Sequence, residues 1–152
     1  MSNTLPSPAE DLYAGIQLTR PLLRNITARL EADLQDTGFS TGQRAIMEAL
    51  LGCGRATAPE LTALLQISRQ LTGRLLKEMT GSGALLTEAN PRHRTSLYYR
   101  LSDESRSRIE ALRAREMRDI AAFAARFSAE EIRAFRKVQQ ALNDAFSPAR
   151  TG

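Results

Sequence analysis

The sequence predicts a mainly α-helical protein with about six helices, in which a helix-turn-helix is followed by a two-stranded wing. Three observations predict this winged helix-turn-helix fold. A Ser or Thr followed three residues later by Glu or Gln recurs along the chain, and this pattern starts helices. Apolar residues after these starts recur with helical spacing. Residues 85–101 instead show the alternation and the turn residues of a β-hairpin.

The first helix begins at a capping box in residues 7–10, with proline at the first helical position. We expect Pro21 to kink or break this helix, because proline removes a hydrogen bond and clashes with the preceding turn. Little else nearby covers its apolar stripe. We therefore expect residues 8–36 to form a dimerisation helix, with packing inside the same chain as the alternative. The interface residues expected here are Leu12, Tyr13 and Ile16.

The second helix starts at a capping box in residues 40–43 and ends at the glycines that flank Cys53. A chain with one cysteine forms no internal disulfide bond. Cys53 has two interpretations. It is either a redox sensor, for which Arg55 is the basic neighbour, or a small, inert, partly buried thiol, and we favour the second.

A third capping box at Thr57 starts a short helix, and Ser68 caps the next helix after a tight turn. The inner face of the helix that Ser68 caps consists of Leu71, Leu75 and Met79. Its outer face carries polar, basic and small residues, with Thr72 close by. These outer residues are Arg69, Gln70, Gly73, Arg74 and Lys77.

These side chains are those that contact DNA in a helix-turn-helix, where the N-terminal residues of the second helix reach the bases. We assign base or mixed contacts to four residues and a phosphate contact to Lys77. Thr57 marks a helix N-terminus whose backbone amides suit a phosphate. Gly73 costs about 1 kcal/mol relative to Ala in a helix. Close approach to DNA would explain this cost, and a neutral weak point explains it equally well. The four residues assigned to bases are Ser68, Arg69, Gln70 and Arg74.

The hairpin consists of two strands, at residues 85–88 and 96–101, joined by a turn that is rich in hydrogen-bond donors. Such a tip fits the minor groove, where an inserted arginine responds to groove width and negative potential. For His93 we prefer a role on the surface of this loop to any catalytic role. The tip residues expected at DNA are Arg92, His93 and Arg94.

The last part of the chain, residues 103–147, reads as two more amphipathic helices, the second of which starts at a capping box in residues 128–131. Their phenylalanine-rich stripes are typical of packing or of a dimer core rather than of a cofactor site. We expect them to be dimerisation helices. The interface residues expected here are Ile120, Phe123, Phe127, Phe135, Leu142 and Phe146.

Net charge is concentrated in residues 68–101, where six basic and two acidic side chains leave +4, the net charge of the whole chain. This excess favours a polyanionic partner, and a solvated basic face without a partner is the alternative. The sequence carries no motif of a catalytic, metal or cofactor site. We therefore expect no enzyme, no metal and no cofactor. With no signal peptide or membrane span recognised, we expect a cytoplasmic protein without a membrane partner.

The order of these motifs resembles the MarR family of bacterial winged-helix regulators, over most of the chain. The resemblance implies a single domain over residues 1–152, with a DNA-binding lobe at 40–101 between the dimerisation helices. It also implies that Arg94 enters the minor groove. Three residues depart from the usual family pattern, which are Asn90 in place of Asp, Ser105 in place of Gly, and Gly73. The segments that carry the resemblance are residues 57–61, 67–75, 83–85, 90–97 and 101–102.

The function expected from this resemblance is a homodimeric, sequence-specific, double-stranded DNA-binding transcription regulator. The dimer would be a ligand-responsive repressor on a pseudo-palindromic operator, with half-sites roughly 34–36 Å apart. The effector would be a small aromatic or anionic molecule. Surface charge is the simpler role of the arginines that would suit it, which are Arg20, Arg24 and Arg44. Two alternatives remain, a protein–protein adaptor that does not bind DNA and a thiol sensor that uses Cys53.

Overall fold

The computed structural model describes residues 5–147 and divides the chain into two compact units, with the boundary in the sequence between Arg106 and Ser107. The first unit contains α1 (Pro8–Leu34), α2 (Thr41–Cys53), β1 (Ala56–Thr57), α3 (Ala58–Leu65), α4 (Arg69–Gly81), β2 (Leu85–Ala89) and β3 (Leu97–Leu101). Helix α5 (Asp103–Ala124) begins in the first unit and continues into the second. The second unit also contains α6 (Ala129–Phe146). The mainly α-helical fold with six helices is confirmed.

Capping boxes start four of the six helices, as the sequence predicts. In α1, α2, α3 and α6 the capping hydroxyl accepts a bond from the backbone of the third helical residue, whose side chain bonds back to the cap. Three of these side chains are carboxylates. Their pKa values are lowered, first by a bond from the backbone N–H of the cap residue and then by its hydroxyl group. These carboxylates belong to Glu10, Glu60 and Glu131.

Helix α1 runs through Pro21 without a break, so the expectation of a break there is wrong. Leu34 is the buried residue of α1, and the rest of the helix is exposed or half-buried. Water can therefore hydrate the carbonyl group of Gln17, which loses its helical partner to the proline ring. The helix ends at Leu34, two residues before the predicted end at residue 36.

The core of the first unit is built by one side of α2, α3 and α4 together with the hairpin. Gly42 allows α2 to approach α4, because a Cβ atom at this position would lie 3.1 Å from Leu75 Cδ1. That separation is tighter than most van der Waals contacts. The most deeply buried large apolar side chains of the unit are Ile46, Met47, Leu50, Leu61, Leu76, Met79, Leu85 and Leu101.

The wing belongs to a three-stranded antiparallel sheet with the order β1-β3-β2, whereas the sequence predicts two strands. The missed strand, β1, pairs Ala56 with Tyr99 and Thr57 with Tyr98. Its two residues are too few to show a period-2 pattern. In the hairpin itself, Glu88 lies opposite Tyr98 and Leu86 lies opposite Arg100.

Ile109 and Leu112 are buried, but from Met117 onward the second unit presents most of its large apolar side chains at the surface of the chain. No residue of α6, which lies wholly within the described residues, is buried. The rings of Phe123 and Phe127 lie 5.5 Å apart between centroids, and the guanidinium of Arg126 lies 5.1 Å from the Phe123 ring. Among residues 5–147, no helix has the length and apolar character needed to cross a bilayer.

Candidate nucleic-acid interface

Helices α3 and α4 form the predicted helix-turn-helix. Helix α3 ends at Leu65, and its C-cap residue Gln66 adopts a left-handed conformation with φ 53°. Two residues later the Ser68 hydroxyl accepts a hydrogen bond of 3.1 Å from the backbone N–H of Leu71, which starts α4. The reversal between the helices is therefore completed within residues 66–68.

The polar residues assigned to DNA lie together on one exposed face of α4. At 3.6 residues per turn, these five residues span an arc of about 140° around the helix axis. The opposite arc holds the buried residues Thr72, Leu75, Leu76 and Met79. Because packing holds that side, the polar side is presented to solvent in a fixed orientation. The exposed residues are Arg69, Gln70, Gly73, Arg74 and Lys77.

Thr72 does not belong to this exposed face, which corrects the expectation that it contacts DNA. Its side chain is only 1% exposed. The Thr72 hydroxyl oxygen lies 2.9 Å from that of Thr62 in α3 and 3.1 Å from the carbonyl oxygen of Ser68. Thr72 thus joins the two helices instead of facing a ligand.

Thr57 is likewise a structural cap whose own amide and hydroxyl are already engaged, and the phosphate contact expected at this helix N-terminus stays a prediction. The Glu60 carboxylate accepts a bond of 2.7 Å from the Thr57 backbone N–H and one of 3.0 Å from its hydroxyl. These bonds lower the pKa of Glu60, because they stabilise the charged form of its carboxyl group. A phosphate approaching this amide would meet an anion that already occupies it.

Gly73 lies on the exposed face of α4, and no atom of the chain lies within 4 Å of the place where its Cβ would be. Packing inside the chain therefore does not require glycine here. Both interpretations from the sequence, close approach of a ligand and a neutral weak point, are compatible with this position.

The wing tip is a pair of consecutive turns, and the three side chains assigned to DNA are exposed on it. The backbone N–H of His93 donates to the Asn90 carbonyl oxygen, and that of Ser96 donates to the His93 carbonyl oxygen, each at 3.2 Å. The buried side chain of Asn90 accepts a bond of 3.0 Å from the backbone N–H of Arg92. Arg92, His93 and Arg94 all remain exposed.

A cluster at the base of the wing was missed by the sequence analysis. The Glu88 carboxylate binds Arg100 at 2.7 Å and Arg55 at 3.2 Å, and the Arg55 guanidinium lies 4.4 Å from the centre of the Tyr98 ring. Arg100, which contributes to the basic excess, is thus paired. The available signal was that Glu88 is the one acidic residue between residues 79 and 102.

Cys53 is exposed at the end of α2, so the expectation of a partly buried thiol is wrong. Cys53 is the last residue of α2, and the residue that follows it, Gly54, has no side chain to cover the thiol. Arg55, the basic neighbour considered for thiol activation, is engaged by Glu88 and Tyr98.

The three arginines considered for an effector do not line the described cavity. This cavity, of about 250 Å³, lies where α1 turns into α2 and is lined by residues 31, 34, 35 and 38–41. Arg20 and Arg24 are exposed, and Arg44 forms an ion pair of 3.5 Å with Glu48. Within residues 5–147, no cluster of three or more His, Cys, Asp or Glu side chains is arranged to hold a metal ion.

Most of the residues assigned to a dimer interface are exposed apolar side chains. Ile16 and Leu142 are half-buried. The others are at least two-fifths exposed, with Phe146 reaching 73%. The exposed members are Leu12, Tyr13, Ile120, Phe123, Phe127, Phe135 and Phe146.

The fold and the sequence together match a solved structure of a MarR family transcription regulator. The identity is 43%, the TM-score is 0.86, and the match covers 91% of this chain and 92% of that protein. The chain belongs to the MarR family. Identity at this level over nearly the whole length extends the relationship beyond a shared fold.

Two more distant structures share the MarR fold. A MarR family protein from Bacillus stearothermophilus is 21% identical, with a TM-score of 0.77, over 94% of this chain and all of that protein. FabT from Streptococcus pneumoniae, solved in complex with DNA, is 14% identical, with a TM-score of 0.77, over 87% and 95% of the two chains. No protein-family model and no curated protein matches the chain.

Proposed function

We propose that this protein is a transcription regulator that binds double-stranded DNA sequence-specifically as a homodimer. The observation that carries the proposal is the division of α4 into a buried face and an exposed face of basic and amide side chains. Membership in the MarR family supports it, as does the FabT structure, which was solved with DNA.

In this proposal α4 lies in the major groove with its N-terminal end toward the bases. Arg69, Gln70 and Arg74 carry the donors and acceptors that distinguish base pairs there, and Ser68 reaches either bases or phosphates. Lys77, a compact charge one turn further along, binds a phosphate and fixes the register of the helix without reading sequence.

The wing adds a second contact in the adjacent minor groove. Arg94 enters that groove, and Arg92 and His93 bind the phosphates that border it. The two turns between Asn90 and Ser96 support this assignment, because they hold the three side chains in a short and ordered tip.

A homodimer presents this unit twice. The exposed apolar residues of α1, α5 and α6 are the surface that a second copy would cover, since large exposed apolar patches mark interaction sites. A two-fold dimer binds half-sites roughly 34–36 Å apart, so the operator should be pseudo-palindromic.

The regulator acts as a repressor that occupies its operator and releases it when an effector binds. A small aromatic or anionic molecule that prefers the conformation with a different spacing of the two α4 helices would lower operator affinity by that preference. Neither step requires a catalytic residue.

The test is a titration of a labelled duplex, selected by the protein from a random-sequence pool, across a series of salt concentrations. The logarithm of the binding constant should fall linearly with the logarithm of salt, with a slope near −0.9 for each phosphate neutralised. Absence of duplex binding at low salt would refute the proposal and leave the adaptor as the function to pursue.

A further inference from the structure

We propose that Glu88 is the positioning residue of the wing, which sets the orientation of the tip that carries Arg94. The expected effect of Glu88 on DNA binding rests on the proposed function. The expected effect of Glu88 on the orientation of the wing tip rests only on the contacts of Glu88.

The two oxygen atoms of the Glu88 carboxylate hold two different arginines from two different segments. Oε1 accepts from Nε of Arg100 in β3 at 2.7 Å, and Oε2 accepts from Nη1 of Arg55 at 3.2 Å. Arg55 immediately precedes β1, and Glu88 itself lies in β2. One side chain therefore connects β2 and β3 with the residue that immediately precedes β1.

Sheet register explains why these groups meet. Glu88 lies directly opposite Tyr98, and Arg100 is two residues further along the same strand. The three side chains consequently share one face of the sheet at diagonal-neighbour distance. Tyr98 completes the arrangement, because its ring supports the Arg55 guanidinium at 4.4 Å from the ring centre.

The cluster lies close in the chain both to the wing tip and to the start of α3. Glu88 is two residues before Asn90, where the tip begins, and Arg55 is two residues before Thr57, which caps α3. The cluster thus ties the base of the wing to the start of the helix-turn-helix. Asn90 holds the turn backbone by accepting from the N–H of Arg92, and Glu88 holds Arg100 and Arg55 at the base of the wing.

A second role for Glu88 predicts the opposite sign of effect. The side chains of Arg55 and Arg100 are 56% and 41% exposed, so a carboxylate beside them also competes with DNA phosphates. If competition were its main role, removing the charge would tighten binding to every duplex. If positioning is its main role, removing the charge weakens the binding that depends on the wing tip.

The experiment compares Glu88→Gln with wild type on the selected duplex and on a scrambled duplex of the same composition. Glu104→Gln, an exposed residue in the first turn of α5, is the control for the same change of charge. We expect Glu88→Gln to weaken selected-duplex binding by a factor on the order of five, the scale of lost exposed ion pairs. Scrambled-duplex binding should be unchanged or tighter.

A double-mutant cycle identifies the wing tip as the group through which Glu88 acts. In the Arg94→Ala background, Glu88→Gln should change affinity for the selected duplex no more than Glu104→Gln does. Equal weakening by Glu88→Gln in both backgrounds, or tighter binding to both duplexes, would overturn the proposal.

A readout without DNA separates this proposal from the proposed function. His93 is the one histidine of the chain and lies at the wing tip, so its imidazole proton resonances in tag-free protein report on the tip alone. Glu88→Gln should shift or broaden them, while Glu104→Gln leaves them unchanged. Unchanged His93 resonances in Glu88→Gln would refute positioning. If wild type selects no duplex while His93 still responds to Glu88→Gln, the proposed function fails and the positioning role stands.

Discussion

Helices α4 and α6 have similar amphipathic patterns, and they differ in whether the apolar side is covered by their own chain. In α4, Leu75, Leu76 and Met79 are buried. In α6, the corresponding stripe of Ile132, Phe135, Val138 and Phe146 is exposed. The pattern alone therefore predicts an apolar face, but not which molecule covers it.

This difference separates the two tasks that we propose for the protein. A helix packed along one side is oriented by its own core, which leaves the polar side of α4 available to a ligand. When another surface covers an apolar helix side that was in water, burial of that side stabilises the association by about 25 cal/mol per Å². On this account α4 contacts DNA and α6 contacts a second copy of the chain.

The largest effect is expected from truncating the covered face of α4. Leu76→Ala should destabilise the fold by about 2–5 kcal/mol, because Leu76 is almost fully buried and the space it leaves is only partly refilled. Urea denaturation would measure the loss. Since the site is internal to one chain, the size of the loss should be the same at low and high protein concentration.

The uncovered face of α6 should respond differently. Phe135→Glu should weaken self-association by about 2 kcal/mol or more, as expected for a buried aromatic at an interface. Sedimentation equilibrium measures the shift toward monomer. Lys137→Glu, which lies on the opposite side of α6, is the control and should leave association nearly unchanged. A wild-type protein that stays monomeric would contradict the assignment of α6 to self-association.

Substitutions on the polar side of α4 should separate the contribution of base contacts to DNA affinity from that of phosphate contacts. Arg74→Ala should weaken the selected duplex by about 1–3 kcal/mol and relax specificity at one position. Lys77→Ala should weaken selected and scrambled duplexes alike and reduce the salt slope by about one. Fluorescence anisotropy on both duplexes measures each effect. Identical behaviour of the two variants would contradict the assignment of separate roles.

Gly73→Ala should change stability and binding in opposite directions. Alanine stabilises a helix interior by about 1 kcal/mol relative to glycine, and no atom of the chain obstructs the added methyl group. The melting temperature should therefore rise. If α4 approaches DNA closely at this position, affinity for the selected duplex should fall. Unchanged affinity would leave Gly73 as a neutral weak point.

The smallest effect is expected at the cap of α3 and depends on pH. The pKa of Glu60 is lowered from its ordinary value of 4.5, because the Thr57 backbone N–H and hydroxyl stabilise the charged form. Its contribution is therefore present above the unfolded pKa and lost as pH falls through the folded one. Melting curves of wild type and Glu60→Gln should differ at neutral pH and converge in acid. A constant difference would show that the charge does not matter.

The helix starts could be predicted from sequence because an N-cap bond joins residues only three apart. Thr57, Ser68 and Ser128 all cap the helices expected of them. The burial of Thr72 could also have been predicted from the sequence. At 100° per residue it lies about 300° around α4 from Arg69, between two buried leucines. Its hydroxyl chemistry led to a surface assignment that its angular position contradicts.

The features that could not be predicted depend on contacts distant in the sequence. Strand β1 is recognisable only through its pairing with β3, and the cluster around Glu88 requires the register of the hairpin. Arg55 lies 33 residues from Glu88. No local pattern identifies such a partner, because the contact is created by the sheet.

Hydroxyl-radical footprinting on the selected duplex tests most directly that two copies of the α4 surface contact DNA. We expect two protected stretches on one face of the duplex, with centres roughly 34–36 Å apart along the axis. Phe135→Glu should weaken both stretches together, because each copy depends on its pairing with the other. A single protected stretch, or no protection at concentrations that saturate the anisotropy signal, would contradict it.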